Sequence, residues 1–149
     1  MKKIFENPYA ELYDISDEVP HTIFGYWKGY WQFDDTEAME ALHFPFNYIR
    51  EHQIKVMITD YQYLEVIPQD TAEWIDKVWF PTVVAHGLIA EIVLDASELI
   101  GQLTVDFMYE NVNHDTGLYT PKVDTLEHAK KLALQFINDL QKKGLLNLP

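Results

Sequence analysis

Leu88-Ile89-Ala90-Glu91-Ile92-Val93-Leu94 decides the fold class. Six of these seven residues are apolar, and apolar and polar positions do not alternate. A strand with one wet face alternates with period two, whereas a strand covered on both faces reads as a near-continuous apolar run, as in a parallel sheet. Glu91 is the single interruption. Upstream, residues 54–59 form a second short buried run that ends at Asp60. Between the two runs, Trp74, Val78, Thr82 and Ala85 recur at helical spacing until Gly87 supplies a stop. Strand, helix and strand in this order predict parallel pairing through a crossover helix.

Working outward, residues 9–15 alternate and carry aromatic rings, Ser16-Asp17-Glu18-Val19-Pro20 is a turn, and residues 22–31 are rich in β-formers. Together they predict a hairpin. Asp34-Asp35-Thr36-Glu37 opens a helix, with Asp34 as cap and Glu37 reaching back to it. Ala38, Leu42, Phe46 and Ile49 follow at helical spacing, with a kink expected at Pro45. Residues 61–68 read as a loop. Asp70-Thr71-Ala72-Glu73 repeats the capping pattern, and Pro81 should kink the helix it opens. Ser97 begins a third helix, with Ile100, Leu103, Thr104, Phe107 and Met108 expected inward. Residues 118–123 form a last strand, at an edge or irregular because of Pro121. Asp124-Thr125-Leu126-Glu127 is a third capping box, and its helix runs to Gly144. The sum is one α/β domain over residues 1–149. It has a mixed, mostly parallel sheet of about five strands with an N-terminal antiparallel hairpin, covered by about four helices.

The chain length of 149 residues suits one well-buried core. The absence of cysteine excludes disulfides, a thiolate zinc site and a cysteine nucleophile. It also fits a reducing compartment, so a cytoplasmic location is expected. The start, with Lys2 and Lys3 but no apolar stretch behind them, does not read as a signal peptide. No apolar run approaches the ~20 residues that a membrane span needs. The net charge is −13, from 24 acids against 11 bases. That balance disfavours nucleic acid, whose phosphates are bound through Lys and Arg, and anionic membrane surfaces.

Catalytic motifs are not found. Ser16 sits in a turn and Ser97 at a helix start, and no G-x-S-x-G elbow occurs. No H-x-x-x-H pair places two imidazoles on one helix face, and neither G-x-G-x-x-G nor G-K-[ST] is present. No catalytic residue, metal or cofactor is therefore expected. Asp60 is the one acid of interest, because ligand crevices form at the carboxyl ends of strands in open α/β sheets. The aromatic residues are the anomaly: Phe24, Tyr26, Trp27, Tyr30, Trp31 and Phe33 lie within ten positions, and Trp74, Trp79 and Phe80 follow later. Most should be core. Trp31 and Trp79, with Tyr30 and Phe80, are the candidates for a partner or ligand surface.

Several pieces recur in a known order: Gly25-Tyr26-Trp27-Lys28-Gly29-Tyr30-Trp31, the acid-capped helix, the strand ending at Asp60, Val66-Ile67-Pro68-Gln69-Asp70-Thr71-Ala72-Glu73-Trp74-Ile75, Val78-Trp79-Phe80-Pro81, and Asp124-Thr125-Leu126-Glu127-His128-Ala129. This order resembles the SpoIIAA-like branch of the STAS domains, the anti-sigma-factor-antagonist fold, over nearly the whole chain. The resemblance implies a non-enzymatic regulatory or protein-interaction module whose partner is a second copy, as a homodimer, or another protein. STAS domains are structurally related to CRAL-TRIO domains. That kinship implies the alternative, a carrier for a lipid or other small apolar ligand beneath the Pro-kinked helices. In the phosphoswitch antagonists an Asp-Ser pair starts the helix after the central strand and the serine is phosphorylated. The position that corresponds here is Thr71, after Asp70.

Overall fold

The apolar run at residues 88–94 becomes a strand, Ala90–Leu94, with every residue buried. A computed structural model describes residues 1–97, 99–110 and 112–146. Its strands are β1 (Lys2–Asn7), β2 (Ala10–Asp14), β3 (Thr22–Tyr30), β4 (Val56–Val66), β5 (Ala90–Leu94) and β6 (Lys122–Val123). The helices are α1 (Thr36–Glu51), α2 (Gln69–Trp74), α3 (Phe80–Ala85), α4 (Leu99–Tyr109), α5 (Val112–Thr116) and α6 (Leu126–Lys142). A π-helical segment, Ile75–Trp79, joins α2 to α3.

The six strands lie in sequence order, β1-β2-β3-β4-β5-β6. The pairs β1–β2 and β2–β3 are antiparallel, and the rest are parallel. The class is α/β with a mixed sheet, as expected, with one strand more. That strand is β1. Its lysines give no apolar pattern, and it exists because its backbone pairs with β2.

Successive side chains of a strand point to opposite faces, so the sheet separates two apolar layers. On one face Trp27, Met57, Tyr61 and Val93 pack with residues of α1, the α2–α3 region, α4 and α5. On the other, Phe24, Val56, Ile58, Ile92 and Leu94 pack with Ala129, Ala133, Ile137 and Leu140 of α6. Among the described residues, no helix is long and apolar enough to cross a membrane.

Local differences from the expected elements have physical causes. β4 runs on to Val66 where a loop was expected, because the long β3 continues to pair with it at Lys28–Tyr63, Gly29–Leu64 and Tyr30–Val66. The cap of α1 is Asp35 rather than Asp34, and its carboxylate accepts from the amides of Glu37 and Ala38. The cap of α6 is likewise one residue later, at Thr125, which accepts from the His128 amide. α2 starts at Gln69 without a side-chain cap, so the expected capping box at Asp70 does not form. Proline has no N–H for the carbonyl one turn back and its ring crowds that turn. The helix accordingly widens into a π segment just before Pro81, which then falls in the first turn of α3, where its missing donor costs nothing.

Of the α4 residues expected inward, Met108 is buried, whereas Ile100, Leu103 and Phe107 are exposed. Gly101, Val105 and Met108 are its buried residues. A Cβ at Gly101 would stand 2.8 Å from the Ala96 Cβ. The helix can therefore seat on its Gly101–Val105–Met108 line, and Ile100, Leu103 and Phe107 are left outside. The last strand is reduced to β6 and one bridge between Ala90 and Tyr119.

Candidate functional site

The helix-covered face of the sheet carries an aromatic chamber. Trp27 of β3, Thr59 and Tyr61 of β4, and Glu91 of β5 all project to this side. Trp31 follows β3, Trp79 comes from the π segment, Phe80 from α3 and Tyr109 from the last position of α4. Trp27, Trp31, Tyr61, Trp79, Phe80 and Tyr109 line a cavity of about 10 Å³ together with Glu91. A space of this size holds about one water.

Glu91 is the group that needs explaining. It lies in the fully buried strand β5 and is 1 % exposed. An ionised carboxylate is costly in such a place unless it is paired or hydrogen-bonded. Among the described residues no cation pairs with it. Its two oxygens accept instead from the Tyr109 hydroxyl at 2.6 Å and the Thr59 hydroxyl at 2.7 Å. The Tyr61 and Tyr109 hydroxyls are themselves 2.6 Å apart. Burial pushes the Glu91 carboxyl up to about 7, while the two hydroxyl donors pull it down and only partly offset that. Burial and the nearby Glu91 hold both tyrosine hydroxyls well above their usual range. The Trp27 indole N–H is buried without a partner among the described residues. A carboxyl raised in this way favours its protonated form. The arrangement presents no activated nucleophile, and its cavity is far below the roughly 300–1,000 Å³ of ordinary small-molecule sites.

Three of the four residues expected on a partner or ligand surface are in this core. Trp31 and Trp79 are 2 and 3 % exposed and Phe80 is fully buried. Trp31 donates its indole N–H to the Lys28 carbonyl at 2.9 Å, and Trp79 donates to the Leu42 carbonyl at 2.7 Å. The correction follows from packing: the helices on this side of the sheet close over Trp31, Trp79 and Phe80, which join one core cluster with Trp27, Leu42 and Tyr61. Tyr30 alone is exposed, in a shallow groove with Gln32, Phe33, Asp34, Pro68 and Asp70.

The Thr71 position is also corrected. Its hydroxyl is fully buried and donates to the Trp31 carbonyl at 2.7 Å, so a kinase cannot reach it while the helix stays folded. Asp60 is nearly buried rather than at a strand end, because β4 runs six residues past it. It accepts from the backbone and side-chain amides of Gln62. Burial raises its carboxyl above the ordinary value. It lines a groove with Tyr26, Asp95 and Asp124 on the α6 side, apart from the aromatic chamber. Among the described residues, no group of three or more His, Asp or Glu side chains is placed to hold a metal ion.

The surface that sequence reasoning missed is on α4. Leu99, Ile100, Leu103 and Phe107 are between 59 and 69 % exposed. Residues four apart are neighbours on a helix surface. Leu99, Leu103 and Phe107 therefore form one stripe, with Ile100 beside it. The sequence shows this spacing, and its pattern predicts Ile100, Leu103 and Phe107 on the inward face. Phe107 also lines a cleft of about 130 Å³ between α2, the π segment and α4, together with Ala72, Glu73, Asp76, Met108 and Glu110.

No family model, curated protein or solved structure matches the chain.

Proposed function

We propose that the chain is a non-enzymatic, STAS-like interaction module that docks a protein, either a second copy or another chain, on the outer face of α4. The observation that carries this is the stripe of Leu99, Ile100, Leu103 and Phe107. Scattered exposed apolar residues are ordinary, but a contiguous patch of four large side chains on one helix is typical of an interaction surface. Burying each of them in a partner is worth roughly 1.5–3 kcal/mol, part of which offsets the freedom lost on association. The order of elements that resembles STAS domains supports the same reading. The carrier alternative has less support, because the chamber of about 10 Å³ would have to open to admit a lipid.

Photo-cross-linking tests the proposal. A photoreactive amino acid replaces Leu103 in the chain expressed in its native cells, and a second version carries it at Leu134, an exposed position on α6. A discrete protein adduct from position 103 and none from 134 is expected. No adduct, or the same adduct from both positions, would overturn the docking role.

A further inference from the structure

We infer that the occupant of the α4 face is a basic amphipathic segment of another protein. This rests on the docking role proposed above and names the partner's chemistry. The argument is charge complementarity beside an apolar stripe. Glu73, Asp76 and Glu110 line the cleft that Phe107 shares with the stripe. Among the described residues none of the three makes an ion pair, and Glu73 takes only a side-chain amide of Gln69 at 3.3 Å. Asp106, also on α4, is already paired with Lys122. Lys77 does not line the cleft. The three carboxylates therefore lie around the Phe107 end of the stripe.

A second copy is a poor fit for that side. It would bring its own net charge of −13 to the contact. Like charges set against each other cost affinity, and opposite ones steer encounter. An amphipathic helix instead offers apolar anchors at i, i+3 or i+4 and i+7, which suit a helix face of this kind. From Leu99 to Phe107 the stripe is about 12 Å long at 1.5 Å per residue, the length of about two helical turns. Lys or Arg side chains flanking those anchors would reach Glu73, Asp76 and Glu110. Met108 gives the cleft floor an adaptable side chain.

The test is an NMR titration of isotopically labelled full-length chain with a synthetic amphipathic peptide of about 18 residues, long enough to be helical when bound. One version pairs leucine with lysine and a matched version pairs leucine with glutamate. The lysine peptide should shift signals of α2, the π segment and α4, and its affinity should fall about tenfold between roughly 50 and 200 mM salt. Glu73→Lys with Asp76→Lys should weaken it about tenfold, and Phe107→Ser should remove the α4 shifts. These side chains are on the surface, and melting curves confirm that the variants fold. Equal binding of the glutamate peptide at α4, or lysine-peptide shifts spread over other faces, would overturn the inference. A dimer in sedimentation that Leu103→Glu dissociates would overturn it too, while leaving the docking role standing. The cross-linking result at position 103 tests that role separately from the peptide.

Discussion

Replacing Glu91 by Gln should make the protein more stable at alkaline pH, although it alters the most buried acid of the sheet. In the unfolded chain the carboxyl titrates near 4.5, and burial in β5 lifts it to about 7 in the folded protein. Between those values the folded state holds a proton that the unfolded state has released. Stability therefore falls as pH rises through this window and is lowest above 7. At 1.36 kcal/mol per unit, the shift from 4.5 to about 7 corresponds to about 3 kcal/mol. Glutamine keeps the shape and stays neutral. Its amide can donate to the Thr59 or Tyr109 hydroxyl while its oxygen accepts from the other, so the network survives. Other groups also titrate: burial raises Asp60, and hydrogen bonds lower Asp35. Both proteins share these groups, which cancel in the difference. Urea unfolding of the two proteins at pH values from about 5 to about 8 measures it. The variant should gain on the wild type as pH rises, by up to about 3 kcal/mol at pH 8, a sizeable part of the 5–15 kcal/mol typical of a domain. A difference that does not change with pH, or a variant less stable at pH 8, would refute the assignment of Glu91 as a buried acid ionising near neutrality.

Other perturbations test the frame around it. Gly25→Ala should destabilise by about 1–3 kcal/mol, read as a lower urea midpoint, because its Cβ would meet the Leu12 Cδ2 at 2.5 Å. Asp35→Ala should cost about 1 kcal/mol for the lost α1 cap, and slightly more because the Tyr9 hydroxyl also donates to that carboxylate. Leu103→Glu should change stability by no more than about 0.5 kcal/mol in thermal unfolding, since the side chain makes up part of the surface rather than the core.

How much of this was readable depends on the distance over which each feature is encoded. The apolar run at 88–94 carries its own burial pattern and became β5 as read. The buried residues of α6, Ala129, Ala133, Ile137 and Leu140, recur at helical spacing, so this face too is carried by a local pattern. β1 was invisible because Lys2-Lys3-Ile4-Phe5 has no strand pattern until β2 pairs with it. The extension of β4 depended on the length of β3, and the burial of Trp31 depended on helices distant in sequence closing over it. The chamber joins Trp27, Tyr61, Glu91 and Tyr109 from four elements far apart in sequence. One local signal did point to it: Glu91 is the lone acid in an apolar strand. α4 has two apolar lines, and side-chain size alone points to Leu103 and Phe107 although they lie outside the core. Gly101 decided otherwise, by allowing close approach to Ala96.

Carbene footprinting of α4 tests the central claim most directly. The purified chain and the same chain in its native cells are labelled in parallel, and modification is read at Leu99, Ile100, Leu103 and Phe107, with Leu134 of α6 as the reference. The account predicts strong labelling of all five in the purified protein and selective protection of the four α4 residues in cells. Equal labelling of α4 and Leu134 in both settings would mean that nothing covers this face, and would contradict the account.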